Sequence, residues 1–163
     1  MLRQIQKKEK AQVRSGTFAI VASRYNERYV DAMVQAAKAE LQHAFSGVRV
    51  FRVPGAYEIP LVAQRLARAA REEPQSAFSG IICLGVILRG ETVHAAHIGE
   101  AVSRALMEIQ LAHEVPVIHE VLLLENEAQA EARCLDPKHN RGAEAAQTAL
   151  AMARVLADLN NAG

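Results

Sequence analysis

The chain has 163 residues, half of them hydrophobic, and a formal net charge of +1. That composition supports one core of ordinary domain size, and near-neutrality argues against a nucleic-acid surface, which needs a clustered basic face. No apolar stretch approaches the roughly 18 residues that span a membrane, and Cys83 and Cys134 lack metal or redox spacing, as expected of packing residues in a reduced, cytoplasmic compartment.

In chain order, residues 1–16 form an arm in which Arg3, Lys7, Lys8, Lys10 and Arg14 face a single Glu9. The arm lacks the apolar stretch of a signal peptide and is expected to be solvated or held by a neighbouring subunit. Residues 17–163 are expected to form one domain. Thr17–Ala22 is predicted as a strand, Ser23–Glu27 as its loop, and Glu27 to Phe45 as a helix with Val30, Met33, Val34, Ala37 and Leu41 along one stripe. Gly47–Val53 alternates as a second strand, closed by Pro54-Gly55. Tyr57–Arg71 is predicted as a helix whose Pro60 falls in the first turn, where a missing N–H costs little. Gly80–Leu88 is a short apolar run of the kind buried in parallel sheets. Thr92–His113 follows as a helix, Val115–Leu124 as a strand with Pro116 at its tolerated start, Glu125–Leu135 as a short helix, Asp136–Gly142 as a turn and Ala143–Asn160 as a last helix. Strands alternating with helices imply right-handed crossovers and a four-stranded parallel sheet with helices on both faces. So small a sheet leaves apolar helix surface that oligomerisation would cover.

All strand carboxyl ends of a parallel sheet lie on one side, where ligands gather. The loops expected there carry Arg24-Tyr25-Asn26, Pro54 to Glu58, Arg89 to Thr92 with His94, and Glu125-Asn126. An aromatic, an amide, a carboxylate, an arginine and a histidine facing one pocket suit a flat, hydrogen-bonding heterocycle. Helix-start N–H groups beside Arg89, Gly90 and Thr92 would cradle an anion. Plainer roles exist for each: Tyr25 packed on Tyr29, Asn26 as a helix N-cap, Glu58 complementing a helix dipole, or Arg133 favouring a helix carboxyl end. His94 and His97 stand three apart but lack a third zinc ligand at recognisable spacing, so no metal is expected. Cys83 sits mid-strand, away from the loops, and the glycine signatures of dinucleotide and triphosphate sites are absent.

Several segments in this order resemble the lumazine synthase family: Arg24-Tyr25-Asn26, Val53 to Pro60, Gly85 to His94, Val115 to Ile118, Glu125-Asn126, Gln129-Ala130, Arg133 and Asn140-Arg141-Gly142. The resemblance implies a flavodoxin-like three-layer αβα subunit in a homopentamer, or in a hollow icosahedral shell of pentamers, with active sites between adjacent subunits. The implied reaction condenses 5-amino-6-ribitylaminouracil with 3,4-dihydroxy-2-butanone 4-phosphate to 6,7-dimethyl-8-ribityllumazine, with no cofactor and with riboflavin synthase as a further partner.

By position, Tyr25 matches the aromatic stacked on the pyrimidine, and Asn26, Ala56, Tyr57 and Glu58 lie around the ribityl chain. Val86, Ile87 and Leu88 match the strand end that lines the heterocycle, and His94 the proton carrier. Glu91, Thr92 and Arg133 match the phosphate site, with Arg141 a basic residue of the same region. His119-Glu120 replaces a common Phe-Gly at the strand end that covers the heterocycle from the neighbouring subunit, so His119 belongs with the substrate contacts. Glu91 replaces a small residue and offers the phosphate only its N–H. The alternatives are an archaeal-type riboflavin synthase, or a flavin- or lumazine-binding protein without catalysis.

Overall fold

A computed structural model of the protein describes residues 16–90 and 92–163. The expectations for the arm at residues 1–15 and for Glu91 lie outside them. Strand β1 (Thr17–Ser23) leads into helix α1 (Glu27–His43), β2 (Gly47–Val53) into α2 (Ile59–Glu72), and β3 (Gly80–Leu88) into α3 (His94–His113). Strand β4 (Val117–Leu124) follows, then the single turn α4 (Glu127–Ala130), a π-type turn (Glu131–Leu135), and α5 (Arg141–Ala162). The strands form one parallel sheet in the order β2-β1-β3-β4. This is the expected doubly wound arrangement, with α1 and α5 packed on one face and α2 and α3 on the other.

Both central strands are buried on both faces, so β1 and β3 carry apolar residues at every position that pairs them, apart from Gly80. Phe18, Ile20, Ile82 and Leu84 pack under α1 and α5; Ala19, Val21, Ile81 and Cys83 pack under α2 and α3. Burial alone pushes the Cys83 thiol up to about 12 and is the main reason Cys134 rises to about 11, so neither is a thiolate at neutral pH.

Element boundaries differ from the sequence expectations for local reasons. Tyr57 belongs to a 3₁₀ turn, Ala56–Glu58, and α2 starts at Ile59 with Pro60 in its first turn. Strand β4 starts at Val117 because Pro116 has no N–H; its carbonyl still accepts from Ile81 N at 2.8 Å. Helix α5 starts two residues early because Asn140 caps it, its Oδ1 accepting from Gly142 N at 2.8 Å. The Asn140 amide also donates to Cys134 O at 2.6 Å, tying the π-type turn to α5.

Helix α5 lies against α1 through Gly142, where the backbones are so close that a Cβ would stand 2.0 Å from Met33 O. That neighbour is backbone and cannot rotate away. Gly142→Ala should therefore destabilise the fold by about 1–3 kcal/mol or more. Denaturant unfolding of the variant checks this, and a change within about 0.5 kcal/mol would show that the two helices separate freely.

Candidate active site

The chain leaves β1 toward one face of the sheet and β3 toward the other, which opens a crevice at their carboxyl ends. Pairing of β1 with β3 ends at Ala22↔Leu84, whereas β3 runs on beside β4 to Leu88. The carbonyl of Val86 is satisfied across that gap by Asn26, whose Nδ2 donates to it at 2.7 Å. Asn26 sits at the start of α1 in the left-handed conformation (φ 57, ψ 42) and makes no side-chain cap, so the plain N-cap role does not hold. Asparagine tolerates that backbone better than most residues.

Around this bond lies an open cavity of about 920 Å³. Its floor is the end of β3, Val86 to Leu88, and one wall is Gly55, Ala56, Tyr57 and Glu58. Tyr25 and Asn26 close one side, and Gly90, Thr92 and His94 mark the end where α3 begins. Tyr25 is 75% exposed while Tyr29 is buried in the core, so Tyr25 stands free at the rim. Tyr57 is 65% exposed. Glu58 turns back on its own loop, where Oε2 accepts from Gly55 N at 3.0 Å. Thr92 Oγ1 accepts from His94 N at 3.4 Å, so α3 starts at His94 with Thr92 just ahead of it.

The sequence reading missed part of this wall. Ala95, His97, Ile98 and Ala101 also line the cavity. The signal was present: positions 94, 97, 98 and 101 follow the i, i+3, i+4, i+7 spacing of one helix face. His97 and His94 thus open on the same space, but among the described residues no three potential metal ligands cluster.

Other expected residues lie elsewhere in the subunit. Arg89 is engaged within the subunit: its Nη1 bonds Glu125 Oε1 at 2.9 Å, and neither residue lines the cavity. Asn126 caps α4 by accepting from Gln129 N at 2.9 Å. Only three of the four expected loops therefore meet. Arg133 stands exposed on the π-type turn beside α1. Arg141 is bound to Glu144, Nη1 to Oε2 at 2.6 Å, and this bond, with Glu120 nearby, strengthens its hold on the proton. Burial raises the pKa of Glu120, and Arg141 partly offsets it. His119 lies on the outer strand β4. None of Arg133, Arg141 and His119 reaches the cavity of its own chain.

Comparison with known proteins identifies the lineage. The sequence model of the 6,7-dimethyl-8-ribityllumazine synthase family matches residues 15–157. The chain belongs to the 6,7-dimethyl-8-ribityllumazine synthase family. A family relative from Stenotrophomonas maltophilia (strain R551-3) is 42% identical over 148 residues, 89% of this chain and 92% of that one. The 6,7-dimethyl-8-ribityllumazine synthase of Azorhizobium caulinodans is 39% identical over 136 residues, 83% of each chain. That of Xanthomonas euvesicatoria pv. vesicatoria is 38% identical over 142 residues, 85% of this chain and 88% of its own.

Asn26→Ala should cost about 1–3 kcal/mol, because it removes the bond that satisfies Val86 O and leaves a side chain in left-handed backbone. Asn26→Gly relieves only the backbone part. Thermal unfolding of both variants checks the division, and equal stability of wild type and Asn26→Ala would contradict it.

Proposed function

We propose that the chain condenses 5-amino-6-ribitylaminouracil with 3,4-dihydroxy-2-butanone 4-phosphate to 6,7-dimethyl-8-ribityllumazine, releasing phosphate and water. As a member of the lumazine synthase family it is a transferase of riboflavin biosynthesis acting on small molecules. The observation that carries the site assignment is the crevice between β1 and β3, which brings Tyr25, Asn26, residues 56–58, residues 86–88, Thr92 and His94 around one cavity. Neither a riboflavin synthase nor a non-catalytic binder is favoured, since the matching relatives carry the synthase name.

In this reading Tyr25 stacks on the pyrimidine, the apolar end of β3 supports it, and residues 56–58 with Asn26 border the ribityl chain. His94, at the amino end of α3, moves protons as the amine adds to the ketone, as phosphate leaves, and as the ring closes. Holding an already reactive amine and ketone together supplies much of the rate, and proton transfer adds about 10²–10⁴. The phosphate goes to Thr92 and to helix-start N–H groups, including that of Glu91, with Arg133 as the counter-charge. Two features distinguish Arg133 from Arg89 and Arg141. Arg89 and Arg141 are already bound to carboxylates, whereas Arg133 has no ion-pair partner among the described residues.

Arg133 and His119 lie outside their own chain's cavity, and Tyr25 and Tyr57 stand open at its rim. Both facts support a site completed by an adjacent copy. A heterologous contact of that kind closes into a ring, here a homopentamer, alone or within an icosahedral shell. Exposed Leu61, Met107 and Leu111 on α2 and α3 give such a ring apolar surface to bury. A cytoplasmic location and association with riboflavin synthase belong to the same proposal. The division into an arm at residues 1–16 and one domain at 17–163 belongs to it as well.

Three outcomes are expected. Light scattering at micromolar concentration should give a multiple of five chains; a clean monomer would dismantle the shared site. His94→Ala should slow lumazine formation clearly without abolishing it, within about 10²–10⁴, and unchanged turnover across the pH range would make His94 a bystander. Arg133→Ala should lower kcat/KM for the phosphorylated ketone by roughly 10- to 150-fold, the worth of a charge-assisted contact, while pyrimidine binding is nearly unchanged. If the pyrimidine suffers instead, Arg133 does not hold phosphate.

A further inference from the structure

The outer edge of β4 carries a closed chain of hydrogen bonds around His119. Val121 N donates to His119 Nδ1 at 3.1 Å, and Nε2 of the same ring lies 2.7 Å from Ser103 Oγ on α3. Ser103 has one proton, and it goes to Gly99 O at 2.8 Å, the carbonyl one turn earlier in α3. The directions therefore fix each other. A backbone N–H can only donate, so Nδ1 is an acceptor; Ser103 Oγ has spent its proton, so Nε2 must carry one. The ring is the neutral Nε2–H tautomer.

Both ring nitrogens are thus used inside the subunit, and yet His119 is exposed. What remains for an outside partner is the π face and a C–H edge, the same surface a phenylalanine would offer. We infer that Ser103 and the Val121 N–H act as positioning groups that lock His119 to present an uncharged aromatic face to the flat heterocycle of the pyrimidine bound in the adjacent copy's cavity. This rests on the shared site proposed above. A loose or protonated imidazole there would compete for water and lose stacking; the clasp removes both options.

The surroundings keep the ring neutral. Burial lowers the pKa of His119 below the usual imidazole range. Beside Ser103 on α3, Glu100 and Arg104 pair with each other at 3.6 Å. Across the sheet His119 registers with Cys83, itself neutral through burial, and Glu120 next in β4 faces α5 rather than α3. In acid, a proton on Nδ1 would oppose the Val121 N–H and open the clasp. Weakening should therefore appear as pH falls through the lowered pKa and be absent at neutral pH.

The test is a double-mutant cycle on the assembled enzyme. Ser103→Ala should raise KM for the pyrimidine by about 2- to 12-fold, the range of one aromatic stacking contact, with little change in kcat. It should also move the acid limb of pyrimidine affinity toward neutral pH. Ser103→Thr, which keeps the hydroxyl, should restore both. His119→Phe should lose the acid limb, and adding Ser103→Ala to it should change nothing further. Equal costs of Ser103→Ala in both backgrounds, or no effect of Ser103→Ala, would overturn the positioning role. Imidazole nitrogen shifts of wild type without substrate give an independent reading: an Nδ1–H or charged ring at neutral pH overturns the clasp. If wild type makes no lumazine, the proposed reaction fails instead, and the same cycle read by direct pyrimidine binding still decides the clasp.

Discussion

Parallel pairing of β1 with β3, from Phe18↔Gly80 to Ala22↔Leu84, is the constraint on which the site depends. Along the stretch that pairs them the two strands are buried on both faces, which leaves no room there for polar chemistry. Right-handed crossovers send their following helices to opposite faces, so the chain must part above the pair. That parting creates the crevice, and the Asn26 bond to Val86 O fixes its depth. Every residue that lines the cavity hangs from one of the elements that end or begin there. Disturbing the pairing would therefore move the aromatic, the amide and the histidine together.

Charge is distributed as unevenly as the geometry. Of the arginines near the strand ends, Arg89 and Arg141 are tied to Glu125 and Glu144 and contribute to the frame rather than to a ligand. Exposed pairs of this kind add little stability. Arg133 is unpaired among the described residues and lies on the opposite side of the sheet from α3 and its histidine. A single copy thus holds His94 and the cavity wall on one side, while Arg133 lies outside that cavity.

Much of this was legible in the sequence. The apolar runs at Thr17–Ala22 and Gly80–Leu88, separated by helix-period segments, required a parallel sheet, and the loops after β1, β2 and β3 were placed correctly. The errors lie where tertiary contacts override local pattern. Nothing adjacent in sequence announces that Asn26 reaches 60 residues ahead to Val86 rather than capping its own helix. Nothing beside Arg89 in the sequence announces Glu125, the partner 36 residues away. The α3 wall is hard to see in the sequence because Ile98 serves two surfaces, packing against the core while its spacing from His94 also puts it on the cavity face. Gly142 was passed over as a turn residue, since its contact with Met33 exists only once α5 has packed on α1.

Mixing two impaired variants tests the shared site most directly. His94→Ala and Arg133→Ala chains, dissociated and reassembled together in equal amounts, pair at random around each ring. If one copy supplies His94 and its neighbour Arg133, about a quarter of the sites regain both residues, and lumazine formation rises to about a quarter of wild type. If both residues act within one chain, every site stays defective, and the mixture is no more active than the average of the two variants alone.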